Sequence, residues 1–102
     1  VERRPRRTKA TTTVLEILAT EPARWWHGYD LLTPTGLQSG SLYPILIRLR
    51  DHGLLEAKWE HDAPPGRPPR HLYRLTASGL AFARDAVAVR RQAIGSPLGA
   101  RP

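Results

Sequence analysis

The chain has 102 residues, with 16 Lys and Arg against 9 Asp and Glu, a formal net charge of +7, and neither Cys nor Met. That length allows one domain with a small core, which favours association with a second copy, and the lack of Cys excludes disulfides, thiolate metal sites and Cys nucleophiles. The pI near 11.0 points to polyanionic partners, although a GC-rich genome, in which Arg is frequent everywhere, would raise it as well, so position along the chain must decide.

No apolar run approaches the roughly 20 residues that cross a bilayer, and no signal-peptide pattern opens the chain. A cytoplasmic, nucleoid-associated protein with no membrane partner is therefore expected.

Residues 1–9, VERRPRRTK, read as a flexible basic arm, because Pro5 interrupts a stretch with no apolar periodicity. Val14, Leu15, Ile17 and Leu18 then recur at helical spacing, predicting a first helix over Thr11–Thr20 that stops before Pro22. A second helix is expected from about His27 to Thr33, with Pro34 and Gly36 turning the chain after it. Trp25 and Trp26 stand before that helix; such a pair either stacks on a flat ligand or fills the core or a subunit contact.

The stretch Gln38–Gly53, QSGSLYPILIRLRDHG, places Leu42, Ile45, Leu46 and Leu49 on one stripe and Ser41, Pro44, Arg48 and Asp51 on the other side. With Ser41 as N-cap, Pro44 falls in the first turn, where its missing N–H costs nothing. Gly53 fits a left-handed C-terminal cap with Leu54 folding back on the last turn. A helix over about 41–52 with one buried and one polar side suits a DNA major groove.

Beyond it, Leu55, Ala57 and Trp59 alternate with Glu56, Lys58 and Glu60, and HLYRL (His71–Leu75) alternates again with Tyr73 and Leu75 inward. The proline-rich 61–70 between them cannot be a ladder. Together they predict a two-stranded ribbon with a stiff tip, a wing.

Thr76 reads as the N-cap of a last helix from Ala77 to about Ala93, with Leu75 and Leu80 as a staple. Its wheel carries two apolar faces, one with Leu80, Ala83, Val87 and Ile94, the other with Phe82, Ala86, Val89 and Ala93. One face would cover the domain; the second, Phe82, Ala86, Val89 and Ala93, is expected to meet a symmetric partner. Residues 95–102 read as a disordered tail. The fold class is thus mainly α with a small β-hairpin, a winged helix-turn-helix domain over 10–76 and a dimerisation helix over 77–94.

The segments HGYDL (His27–Leu31), TGLQSGSLYPIL (Thr35–Leu46), RLRDHGLL (Arg48–Leu55) and HLYRLTASG (His71–Gly79) closely resemble, in order, motifs of the PadR-like transcriptional regulators. That resemblance implies a homodimeric repressor on a palindromic operator in double-stranded DNA, released by an effector. Carried over by position, it implies major-groove contacts from Ser39, Ser41, Tyr43 and Pro44, with Gln38 opening the set, Arg48 toward phosphate, and a wing tip of Gly66, Arg67 and Arg70. The C-terminal part is shorter than in members with a full helical dimerisation domain.

In that reading the Ser39 and Ser41 hydroxyls can donate or accept, Gly40 permits close approach, and Tyr43 either contacts the DNA backbone or packs against the second helix. A small aromatic effector could meet Trp25 and Trp26. The alternative is a winged-helix protein-interaction module that presents the same helix to another protein. Catalysis finds no support: His27, His52, His61 and His71 lack metal-ligand spacing, and no nucleophile triad, phosphate loop or carboxylate pair is present. Neither enzyme activity, a metal nor a cofactor is expected.

Overall fold

The computed structural model describes residues 8–99, with side chains to residue 92. Residues 1–7 of the expected basic arm and 100–102 of the expected tail lie outside the described residues.

Helix α1 spans Lys9–Thr20 and starts two residues earlier than the apolar spacing indicates, because the Thr8 side chain caps it by accepting from the Thr11 N–H at 3.1 Å. Thr11 and Thr12 are buried in the α1 interface, so packing offsets their weak helix preference. The expected second helix is shorter and split. Strand β1 takes Trp26–His27, a 3₁₀ turn takes Gly28–Leu31, and α2 is only Leu32–Thr35, with Pro34 inside it rather than after it.

Helix α3 runs Ser39–Asp51 and buries Leu42, Ile45, Leu46 and Leu49, the expected stripe. It ends as the sequence indicates: Gly53 has φ of 73°, its N–H donates to the Arg50 carbonyl at 2.9 Å, and the Leu54 N–H reaches back to the Leu49 carbonyl at 2.9 Å.

Strands β2 (Leu55–Trp59) and β3 (His71–Leu75) form the wing. The sheet nevertheless has three antiparallel strands in the order β1-β3-β2, not two, because Trp26 pairs with Tyr73 and His27 with Leu72. Trp26 turns inward from that added strand and is only 6% exposed. The expected inward alternation of β2 holds at Leu55 and fades outward, leaving Trp59 65% exposed.

Helix α4 spans Ala77–Gly99, so residues 95–99 continue the helix instead of fraying. Thr76 caps it as expected: its hydroxyl accepts from the Gly79 N–H at 2.9 Å and donates to the Gly53 carbonyl at 2.8 Å, tying the end of α3 to the start of α4. The expected division of α4 faces is corrected. Phe82 and Ala86, assigned to a partner-facing side, are buried with Ala83 in the chain's own core. The buried stripe is Gly79, Phe82, Ala83 and Ala86, at i, i+3, i+4 and i+7, and runs between the two faces of the wheel. Val89 remains 49% exposed, and the side chain of Ala93 lies outside those described. Arg90 clasps α4 to α1, its Nη1 2.6 Å from Glu16 Oε1.

Candidate nucleic-acid interface

Helix α3 presents its polar side to solvent because the chain enters it extended. Gln38 has φ −84° and ψ 159°, and its carbonyl accepts from both the Ser41 and Leu42 N–H groups at 2.9 Å. Gln38 is therefore the N-cap and Ser41 lies in the first turn, three places further in than expected. Pro44 then sits in the second turn, inside the helix. Its ring nitrogen has no N–H to donate to the Gly40 carbonyl, so the helix lacks that one ladder bond.

Gln38, Ser39, Gly40, Ser41, Pro44 and Arg48 are all exposed on this side. Tyr43 is different. Its ring lies over Gly28, where a Cβ would meet Tyr43 Cε1 at 2.6 Å. The close approach explains a glycine after His27 and gives Tyr43 a packing role, with its ring half-buried between α3 and the 3₁₀ turn.

The sheet face turned toward α3 carries a ladder of rings. Burial, together with the hydroxyl of Tyr43, pushes the Tyr73 phenol above its usual value against the opposing charge of Arg50. The Tyr73 hydroxyl hydrogen-bonds His71 Nδ1 at 3.1 Å, and the His71 ring stacks on Trp59 at 4.6 Å between centroids. The ladder thus steps from the core out along the wing.

The wing base is closed by Glu60. The Glu60 N–H donates to the Arg70 carbonyl at 2.7 Å, its carboxylate accepts from the Arg70 N–H at 3.3 Å, and Arg67 Nη2 pairs with Glu60 Oε1 at 3.0 Å. Desolvation alone would raise the Glu60 carboxyl, but the Arg70 N–H and the Arg67 guanidinium outweigh it and hold the group below its usual value. Arg67 is therefore engaged by its own chain, while Arg70 is exposed. His27 lies near this cluster with Nδ1 buried and without a hydrogen-bond partner. Desolvation, then Arg70 and Arg67, lower its basicity against the opposing pull of Asp30 and Glu60.

The paired tryptophans separate. Trp26 takes the core reading of the two that the sequence left open, 6% exposed with the Arg24 guanidinium 3.7 Å above its ring, and the ligand role is dropped for this residue. Trp25 lies on the other side of the sheet, with Lys58 at 4.3 Å and Arg74 at 4.4 Å over its ring. Among the described residues no group of three or more His, Asp or Glu side chains could hold a metal ion, and no helix is long and apolar enough to cross a membrane.

Three groups of residues on this surface were not singled out by motif. Ile47 is exposed on α3, outside the stripe of Leu42, Ile45, Leu46 and Leu49; a helical wheel would have shown it. Trp59 is exposed on the wing, and Glu60 binds both wing arginines across a proline-rich loop that has no readable periodicity.

The profile of the transcriptional regulator PadR-like family matches residues 14–85, most of the folded chain. The chain belongs to the PadR-like family. Among solved structures, a PadR family transcriptional regulator from Eggerthella lenta DSM 2243 is 31% identical, with a TM-score of 0.65 over 88% of this chain and 84% of that one. A PadR family transcription regulator from Clostridium difficile R20291 shares the fold at 18% identity, with a TM-score of 0.68 over 89% of this chain and 94% of that one. BpsR of Bordetella bronchiseptica, whose DNA binding is regulated by 6-hydroxynicotinic acid, has 24% identity and a TM-score of 0.71 over 93% of this chain and 64% of that one. No curated protein matches. As a PadR-like winged-helix protein, this chain is a transcriptional regulator by family.

Proposed function

We propose that this PadR-like chain is a homodimeric, sequence-specific repressor that binds a palindromic operator, with α3 in the major groove and the wing tip, residues 61–70, at the minor groove or backbone. The reading is carried by one observation: α3 buries all four of its stripe residues while Gln38, Ser39, Ser41, Pro44 and Arg48 stay uncovered. Ser39 and Ser41 reach base edges or phosphates, Arg48 takes phosphate, and Arg70 adds charge from the wing. Arg67 joins them by exchanging Glu60 for the duplex, and Tyr43 holds α3 in place from behind.

Dimer formation uses α4, which at 23 residues is nearly twice as long as the 12-residue α1 that covers it. With Phe82 and Ala86 spent on the core, the contact centres on Val89. Regulation of the similar BpsR by an aromatic acid supports a small aromatic effector here too. Trp25 carries Lys58 and Arg74 over its ring, two cations that would pair with the carboxylate of such an acid.

A gel shift on the DNA upstream of the gene, at stated salt, is expected to give saturable binding that survives random competitor. Ser41→Ala should weaken the specific complex by about 1 kcal/mol or more and leave random binding nearly unchanged. Binding no better than to random DNA would leave the protein-interaction reading.

A further inference from the structure

The exposed side of α3 is not wholly polar. Ile47 is 45% exposed although Leu42, Ile45, Leu46 and Leu49 on the same helix are buried. It follows exposed Pro44 by three residues, so the two side chains are neighbours on one helical face. Ser41 lies one turn before Pro44, and Arg48 lies beside Ile47 one turn after it. An apolar ridge thus occupies the middle of the face, between hydroxyls and a guanidinium.

We propose that Pro44 and Ile47 read thymine, by packing against its C5-methyl group in the major groove. The inference rests on the reading of α3 as the groove element and adds the base that it selects. Of the four bases only thymine offers an apolar group in that groove; the others present N7, O6, N4 or N6 atoms that need a polar partner. A side chain with no donor or acceptor, pressed against those atoms, strips their water and returns nothing. Ile47 is also β-branched and stiff at χ1, so holding it against a methyl sacrifices little rotamer freedom.

The test begins with selection of bound sites from random duplexes by the full chain. Each thymine of the selected half-site is then replaced by deoxyuridine, which removes the methyl and leaves every hydrogen-bonding atom in place. Wild-type protein is expected to lose about four-fold in affinity at one or two thymines per half-site, the equivalent of about 0.8 kcal/mol for one buried carbon. Ile47→Ala, whose side chain is half in solvent and whose thermal melt should be unchanged, is expected to lose less than about two-fold at the same positions. A selected site indifferent to every replacement, or an equal loss with Ile47→Ala, overturns the inference and leaves the DNA-binding reading standing. A selection that enriches no site removes both.

Discussion

At the residue scale the proposed DNA contact of the wing sets Glu60 against the duplex in a competition for Arg67. The guanidinium is already paired at 3.0 Å, so binding DNA exchanges one anion for another. Arg67→Ala is expected to weaken binding across sequences and reduce the salt slope by about one counterion, measured as the dependence of log affinity on log salt. Glu60→Gln should do the reverse, tightening binding and steepening the slope, because the competing carboxylate is gone. Identical slopes in all three proteins would place the wing outside the interface.

His27 gives a second residue-scale expectation. Its folded-state basicity lies below the ordinary 6.5, so the unfolded chain binds a proton first as pH falls. The resulting stability is present above about pH 6.5 and is lost as pH falls through the folded value. Thermal melts should show a decline below pH 6.5 that His27→Gln removes; an unchanged decline would assign it to other groups.

At the element scale the fold depends on how closely α4 starts against the end of α3. A Cβ on Gly79 would stand 1.8 Å from the Leu54 carbonyl oxygen, and backbone cannot give way as a side chain can. Gly79→Ala is therefore expected to cost about 3 kcal/mol, at the upper end for overpacking, read from denaturant melts. A cost under about 0.5 kcal/mol, typical of surface changes, would show that α4 slides freely.

The elements themselves differ in how far the sequence disclosed them. The α3 stripe, the Gly53 cap, the Thr76 cap and the wing strands were legible because each is set by neighbours a few residues away. Strand β1 was not, since two residues have no period and its partner Tyr73 is far along the chain. Nor was the choice of α4 face: alanines leave the wheel ambiguous, and the packing of α4 on α1 and β3 turns Phe82 and Ala86 inward. For the site, the exposed residues of α3 were readable from the wheel, whereas the hold of Glu60 on Arg67 is formed across a loop that has no repeat to read.

At the scale of the whole molecule, one chain presents a single α3 and a single wing, and a palindromic site requires two of each. Val89→Asp should place a charge on the exposed flank of α4 and shift the proposed dimer to monomer in sedimentation, weakening operator binding while leaving the fold melt intact. A variant still dimeric at the same concentrations would move the contact elsewhere.

The most direct measurement is dimethyl sulfate protection on the selected operator, since guanine N7 is reachable only from the major groove. Two α3 helices related by a two-fold axis should protect two patches of guanine N7 about 10–10.5 base pairs apart, centre to centre. Full reactivity at every guanine N7 in a saturated complex would contradict the placement of α3 in that groove.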